Sequence, residues 1–322
     1  MAADQYYQYY EERTPTGVWY IDQLLGGGFK RGEIYLIAGE AGQGKTIFSL
    51  QFLKTGAELY DEPGLYITVD EPSEDVKRGV KSSLGWDLDA FEEQQKLIFV
   101  DLRTHFKAYS QSEKVVADPR EIAKVIMDNV KKFGIRRLVV DPIAPLLITS
   151  HTDVLWVREY MRELVFQLRR LRDVTTVMTS EIPTGENKIS RFGVEEYLAG
   201  GVIKLELQEY RGFVFRVMFI RKMRWTAVRP QKLVFEIYPQ YGIYVIDRLE
   251  NFMKSIDRFY LDVTQQYGQQ EYQQYALAKQ ASRDCGRRPT GPTDPRPAGG
   301  RQTPEDPIYI VAARSNTALS AD

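Results

Sequence analysis

The chain has 322 residues, and its 43 basic and 44 acidic side chains leave no excess charge that would favour non-specific binding to nucleic acid or to an anionic membrane. One cysteine, Cys285, and two distant histidines, His105 and His151, provide neither a disulfide framework nor a zinc site. The sequence contains neither a secretory signal pattern nor an apolar run of about 18 residues, the length a transmembrane helix needs. We therefore expect a soluble cytoplasmic protein that does not associate with membranes.

The centre of the chain alternates between short apolar runs and longer amphipathic segments. The apolar runs are rich in Val and Ile, are typical of buried parallel strands, and lie at 33–39, 64–70, 96–102, 136–141 and 174–180. The amphipathic segments are predicted to be helices and lie at 44–60, 73–83, 118–133 and 153–172. This alternation predicts an α/β fold, with a mainly parallel, twisted sheet flanked by helices.

The residues beyond position 200 follow a different pattern. Ile203, Leu205 and Leu207 alternate with polar residues, which is the period of a half-exposed strand, and apolar runs follow at 212–224 and 232–247. We expect these segments to be antiparallel strands that complete the sheet at its C-terminal edge.

The two ends of the chain differ from its centre in composition. Residues 248–280 are predicted to form a helical extension. Residues 281–322 are rich in Pro, Gly, Arg, Thr and Asp, and we expect disorder there because too little apolar surface could be buried to offset the ordering entropy. We also expect a flexible segment at 1–12, which leaves a single α/β domain at 13–247.

The stretch GEAGQGKT, residues 39–46, fits the pattern G-x-x-x-x-G-K-[ST] of a phosphate-binding loop at every fixed position. It follows a predicted strand and opens a predicted helix, which is the context that the motif requires. Backbone N–H groups of such a loop turn toward phosphate oxygens, Lys45 is placed to reach the β- and γ-phosphates of ATP, and the Thr46 hydroxyl is placed to bind Mg²⁺. The residues predicted to contact the nucleotide are Gly39, Glu40, Ala41, Gly42, Gln43, Gly44, Lys45, Thr46 and Ile47.

Three carboxylates are candidates for the rest of this site. Asp141 ends a predicted strand, where a second Mg²⁺ ligand is expected, although such an aspartate could also cap the turn before Pro142. Asp70 and Glu71 follow another strand, at the sheet edge where open α/β folds bind ligands, and could activate water. The alternative for this pair is a solvated helix start with Ser73 as its N-cap.

Two cations, Lys222 and Arg224, lie two positions apart in the stretch FIRKMRWTAVRP, residues 219–230. In a strand this spacing places both on one face. They are either solvated charges on an exposed sheet face or cations directed at an anion.

Taken in order, these motifs resemble the RecA superfamily and, within it, the KaiC-like ATPases with a single domain of the archaeal type. The resemblance covers about residues 13–247 and is carried by the stretches 13–53, 64–75, 138–147, 174–181, 190–205 and 219–227. The stretch SRFGVEEYLAGGVIKL, 190–205, has no counterpart in generic phosphate-loop proteins. The resemblance implies a RecA-like P-loop NTPase fold with ATP and Mg²⁺ as its ligands.

The resemblance also implies roles for individual residues. Glu71 would be the general base, supported by Asp70 at a position where the family usually has a second glutamate, and Asp141 would bind Mg²⁺ together with Thr46. The family assembles as a ring, usually a hexamer, in which a Lys-x-Arg pair reaches the phosphates of the next subunit's nucleotide. The residues with an implied catalytic role are Glu71, Asp70, Lys45, Lys222 and Arg224.

Some positions depart from the family pattern. Trp225 and Val228 stand where the family often has glycine and histidine. By contrast, the stretch Thr179–Glu181 matches the family's pattern of a polar strand end that senses phosphate. A two-domain member of the family is phosphorylated on an adjacent Ser-Thr pair in the region equivalent to 189–201, where this chain has only Ser190, so autokinase activity has no support from the sequence.

We expect an ATPase that acts as a nucleotide-driven ring switch in signalling or regulation, with copies of itself and an unidentified regulatory protein as partners. One alternative is a DNA-binding ATPase of the recombination type, with loops at about 143–152 and 182–192. DNA is the less favoured partner because only Lys188 and Arg191 are basic in these loops. Another alternative is a nucleotide-binding scaffold that hydrolyses ATP weakly.

Overall fold

The computed structural model describes residues 13–102, 118–147, 154–186 and 188–284. Its strands are β1 (Arg13–Thr14), β2 (Phe29–Lys30), β3 (Ile34–Gly39), β4 (Gly64–Thr68), β5 (Leu97–Asp101), β6 (Arg137–Asp141), β7 (Thr175–Glu181), β8 (Gly201–Tyr210), β9 (Phe213–Met223), β10 (Gln231–Tyr238) and β11 (Gly242–Arg248). Its helices are α1 (Trp19–Leu24), α2 (Lys45–Leu59), α3 (Ser73–Leu84), α4 (Leu88–Glu93), α5 (Pro119–Phe133), α6 (Val154–Leu168), α7 (Glu195–Leu198) and α8 (Leu249–Asp284). A 3-10 turn, Ala144–Leu147, follows β6.

Within these residues, one nine-stranded sheet has the order β11-β10-β9-β8-β3-β7-β6-β4-β5. The strands from β8 to β5 in that order are parallel, whereas β8, β9, β10 and β11 pair antiparallel. Strands β1 and β2 form a separate antiparallel pair. The predicted fold class, a mainly parallel sheet with antiparallel strands at the C-terminal edge, is confirmed.

Both faces of the parallel strands are covered, which explains why their sequences are continuous apolar runs. Along β3, Ile34 and Leu36 belong to the core that also contains the apolar residues of α5 and α6. Tyr35 and Ile37 point the other way, into the core that contains the apolar residues of α2 and α3. The residues that follow parallel strands meet at one edge of the sheet, so β3, β4, β6 and β7 bring their C-terminal residues together.

The chain divides into two compact units, Met1–Leu249 and Glu250–Asp322. Of the second unit the structure describes only residues of helix α8. The helical extension predicted at 248–280 corresponds to this helix, which continues through residues 281–284 of the predicted tail. The remaining tail residues and segment 1–12 lie outside the described residues. In the described part of the chain, every helix is too short or too polar to cross a membrane.

Candidate nucleotide site

The phosphate-binding loop connects β3 to α2 through left-handed glycines. Gly42 has φ 75° and Gly44, the N-cap of α2, has φ 98°, a region in which side-chain-bearing residues are strained. A Cβ atom on Gly39 would lie 2.6 Å from the carbonyl oxygen of Leu205, so close backbone approach from β8 requires glycine there. The backbone conformation or a close contact therefore requires glycine at these three positions of the motif. The loop leads directly into the N-terminus of a helix.

Lys45 is held against this loop. Its Nζ atom donates to the carbonyl oxygens of Gly39 at 3.0 Å and Glu40 at 2.8 Å, and the side chain is buried. Burial lowers the pKa of Lys45, while the nearby carboxylates of Glu181 and Asp141 act in the opposite direction. The ammonium and the N-terminus of the helix both favour a bound anion, and the nearby carboxylates act against it.

Asp141 and Thr46 come together around one phenol. The Tyr66 hydroxyl donates to Asp141 Oδ2 at 2.7 Å and also neighbours the Thr46 side chain. The Thr179 hydroxyl donates to the other oxygen, Oδ1, and Asp141 is buried. Two oxygen-bearing side chains therefore lie near the same phenol, and carboxylate and hydroxyl oxygens are the kind of donor that Mg²⁺ prefers.

Asp70 and Glu71 lie between β4 and α3, and both side chains are exposed at the cavity described below. The Thr68 hydroxyl donates to the carbonyl oxygen of Glu71, which fixes the turn after the strand. Helix α3 begins at Ser73 with Pro72 at its N-cap and no side-chain cap, so the alternative role of Ser73 as N-cap is wrong. Both side chains line the same cavity as the phosphate loop, which is compatible with a role in activating water.

These residues surround a cavity of about 580 Å³. Of the residues predicted to contact the nucleotide, Ala41, Gly42 and the stretch Gly44–Ile47 line it, whereas Gly39, Glu40 and Gln43 do not. Asp70, Glu71, Asp141 and Glu181 line it too. The structure therefore brings together the loop, the strand-end carboxylates and the space for a ligand.

Three further residues line the cavity that the sequence reasoning missed: Arg216 of β9, Ile237 of β10 and Pro239. Arg216 donates from NH1 to Glu236 Oε2 at 3.0 Å, while its buried Nε atom has no hydrogen-bond partner among the described residues. The sequence carried a signal for this residue, since Arg216 is the single charge in the apolar run FVFRVMF.

Lys222 and Arg224 do not line the cavity. Lys222 Nζ donates to the carbonyl oxygens of Glu196 at 2.7 Å and Ala199 at 2.8 Å, and Arg224 NH2 donates to that of Tyr197 at 3.2 Å. Strand β9 ends at Met223, so Arg224 follows the strand, and both cation side chains reach carbonyl oxygens of the same segment, residues 196–199. Burial, with Arg224 nearby, lowers the pKa of Lys222.

Trp225 follows this pair in the left-handed region, at φ 59°, with 72% of its surface exposed. Its ring centroid lies 5.9 Å from Lys30 Nζ. Glycine adopts this backbone conformation without strain, which is a physical reason for a glycine at this position in relatives. The indole here is an exposed surface group beside the cation pair.

The loop proposed for DNA binding has little free positive charge in its described part. Lys188 forms an ion pair with Glu186 at 2.5 Å, and the Arg191 guanidinium lies over the Phe192 ring. Asn187 of this loop and residues 148–153 of the other loop lie outside the described residues. Ser190, the candidate for autophosphorylation, is buried and donates to Glu195 at 2.7 Å.

The phosphate loop, the strand-end carboxylates and the sheet order describe a P-loop ATPase, and comparison with known proteins decides its family. Residues 14–250 match the family described as KaiC ATPase. The chain belongs to the KaiC ATPase family. Membership implies nucleotide binding at the P-loop, in agreement with the resemblance inferred from the motifs.

The chain covers most of the length of some relatives and a smaller part of others. A UPF0273 protein of Thermotoga maritima is 33% identical over 70% of this chain and 93% of its own length. The circadian clock oscillator protein KaiC of Parasynechococcus marenigrum is 33% identical over 60% of this chain, which spans 37% of that protein. The crystal structure of a KaiC-like protein of Pyrococcus horikoshii superposes with a TM-score of 0.62 and 36% identity, covering 72% of this chain and 98% of that one.

Proposed function

We propose that this KaiC-family protein is a Mg²⁺-dependent ATPase that works as a hexameric ring of identical subunits, and that the ATP cycle switches its binding to a regulatory protein in the cytoplasm. The observation that carries the proposal is that only some of the expected catalytic residues line the cavity. The phosphate loop, Asp141 and the pair Asp70 and Glu71 share one cavity, whereas Lys222 and Arg224 lie outside it.

The residues around the cavity fit the two ligands. The N-terminus of α2 and the Lys45 ammonium would hold the phosphates, and Thr46 with Asp141 would hold Mg²⁺, whose charge neutralises phosphate oxygens. Arg216 and the apolar groups of Ile237 and Pro239 suit the base end of the nucleotide. In the described part of the chain, no group of three or more His, Cys, Asp or Glu side chains is placed to hold a metal ion.

The proposed reaction is hydrolysis of the terminal phosphate of ATP to give ADP and phosphate. Glu71, supported by Asp70, would take the proton from the attacking water as the bond to phosphorus forms and the bond to the ADP oxygen breaks. Lys222 and Arg224 of an adjacent subunit would stabilise the negative charge on the transferred group. For this role, the subunit contact has to place the two cations beside the phosphates.

Turnover measurements on a matched pair of variants test the proposal. Glu71→Gln removes the base while preserving the side-chain shape, and we expect kcat to fall by ~10²–10⁴-fold with little change in ATP affinity. Glu74→Gln is the control, because Glu74 is exposed on the first turn of α3 and pairs with Lys77. The control should retain wild-type turnover.

Two results would count against the proposal. A wild-type protein that binds ATP and Mg²⁺ without measurable turnover would identify the weakly hydrolysing scaffold instead. Equal turnover in Glu71→Gln and Glu74→Gln would remove Glu71 from the role of base.

Light scattering tests the assembly. We expect a ring that forms or tightens with ATP and Mg²⁺, and a strict monomer under all conditions would remove the role of Lys222 and Arg224 in a neighbouring site.

A further inference from the structure

A buried glutamate, Glu195, lies between the two parts of the proposed site. It is the first residue of the short helix α7, it has no exposed surface, and no ion pair with a lysine or arginine is found for it among the described residues. Four donors satisfy its carboxylate: the Ser180 and Ser190 hydroxyls at 3.1 and 2.7 Å, and the backbone N–H groups of Phe192 and Val194 at 3.3 and 3.1 Å. A buried carboxylate needs these bonds, so the elements that supply them are held together.

One of these donors belongs to the strand that reaches the nucleotide site. Ser180 is buried in β7, directly after Thr179, whose hydroxyl donates to the proposed Mg²⁺ ligand Asp141. Glu181, the next residue, lines the cavity. The Ser180 hydroxyl also accepts from the N–H of Arg191 at 3.1 Å, so the strand end is bonded to both the loop and the glutamate.

The other end of α7 holds the cation pair. The carbonyl oxygens of residues 196, 197 and 199 accept from Lys222 and Arg224, and that of Leu198 accepts from Arg169 at 3.2 Å. The Arg224 N–H donates to the Gly200 carbonyl oxygen at 2.8 Å. The position of α7 therefore sets the position of Lys222 and Arg224.

We infer that Glu195 is a positioning residue that couples the chain's own nucleotide site to the cation pair it offers to a neighbouring subunit. The path runs from Asp141 through Thr179 and Ser180 to Glu195, and from the α7 carbonyl oxygens to Lys222 and Arg224. This inference rests on the proposed function, because it needs a nucleotide at the first end and a neighbour at the second. It assigns to α7 the transmission of nucleotide binding to the cation pair, which ATP binding and hydrolysis within one subunit do not require.

Hydrogen exchange, with and without a non-hydrolysable ATP analogue and MgCl₂, tests the coupling without measuring activity. The Phe48 N–H, bonded to the Gly44 carbonyl oxygen at 2.9 Å, reports on the phosphate loop. The N–H groups of Ala199 and Arg224, bonded at 3.1 and 2.8 Å, report on the cation end. In the wild-type protein we expect the analogue to slow exchange at both ends by about fivefold, which corresponds to strengthening one hydrogen bond.

Two serine variants separate the path from general stability. Ser180→Ala removes the bond between β7 and Glu195, whereas Ser190→Ala removes the contacts of the loop hydroxyl with Glu195 and Glu196 and leaves the strand bond in place. We expect Ser180→Ala to keep the slowing at Phe48 and lose it at Ala199 and Arg224, and Ser190→Ala to respond at both ends. Ser180→Thr keeps a hydroxyl and should restore the response.

Glu195→Gln gives a second test if Ser180→Ala does not fold. It keeps the side-chain shape but turns an N–H₂ group toward donors, and we expect it to lose the response at Arg224 while keeping that at Phe48.

The outcomes distinguish this inference from the function on which it rests. No slowing at Phe48 in the wild-type protein would overturn the proposed nucleotide binding and the coupling with it. Slowing at Phe48 without slowing at Arg224 in the wild-type protein would overturn the coupling alone. The coupling would also be overturned by a full response at both ends in Ser180→Ala or in Glu195→Gln.

Discussion

The phosphate-loop end and the cation end of this protein are built in different ways. Lys45 and Asp141 are buried and lie where strands of the parallel sheet end, with hydrogen bonds to their immediate surroundings. Lys222 and Arg224 are more exposed, lie at the end of an antiparallel strand, and bind carbonyl oxygens of α7. The first region has its parts in one cavity, whereas for Lys222 and Arg224 no ion pair with an acidic side chain is found in the described part of the chain.

This difference gives a rule for distinguishing residues that act within a subunit from those proposed to act between subunits. A cation in a subunit's own site is enclosed by that site. A cation for a neighbour's site must stay at the surface, and main-chain carbonyl oxygens can hold it there without neutralising it. The variants below are chosen to separate these two kinds of cation, from the largest expected effect to the smallest.

Lys45→Ala should have the largest effect, because it removes a buried cation directed at the phosphates. Loss of one partner from a buried charge pair costs about 2–5 kcal/mol, so we expect ATP affinity to fall by at least about 30-fold, measured by calorimetry. Lys54→Ala in the same helix is the control, since Lys54 pairs with Glu58 away from the cavity. Similar ATP affinities for the two variants would place the phosphates elsewhere.

Arg224→Ala should affect turnover and spare binding. We expect kcat to fall by about 10³-fold, the scale of an arginine that stabilises a transferring phosphate, with the dissociation constant of ATP little changed. Arg221→Ala provides the comparison, because Arg221 is exposed on strand β9, just before Arg224 in the chain, and its guanidinium lies over the Phe219 ring. Equal losses of binding and turnover in Arg224→Ala would contradict the contrast between the two ends.

Trp225→Gly should have the smallest effect. Relief of a left-handed backbone, about 1–2 kcal/mol, is offset by loss of the contact with Lys30, about 0.5–1 kcal/mol, so the free energy of unfolding in urea should change by roughly 1 kcal/mol or less. Destabilisation of the isolated subunit by several kcal/mol would show that the indole is part of the folded core rather than a surface group.

Much of the fold could be predicted from local patterns. The five predicted parallel strands lie within two residues of their observed ends, because strands covered on both faces leave continuous apolar runs. The phosphate loop was equally visible, because local backbone geometry requires Gly42 and Gly44, whereas the approach of Leu205 from β8 requires Gly39. The short helices α1, α4 and α7 were missed because they are too brief to show a helical period.

Local sequence patterns could not predict the contacts that connect the phosphate-loop end with the cation end. Lys222 meets Glu196 across 26 residues of sequence, and Glu195 meets Ser180 across 15. The period of a strand indicates which face a residue occupies but not which carbonyl oxygen it will find. The roles of Glu71, Lys222 and Arg224 remain predictions carried by the family resemblance and by their placement.

The central claim, that one site takes parts from two subunits, is tested most directly by mixing Lys45→Ala and Arg224→Ala proteins. Each variant alone should hydrolyse ATP poorly, the first because it lacks a binding site and the second because it lacks a neighbour's cation. In mixed rings, intact Arg224 of the first can face an intact phosphate loop of the second, so turnover should rise well above the sum of the separate activities. Turnover equal to that sum, in mixtures shown by light scattering to form mixed rings, would contradict the account.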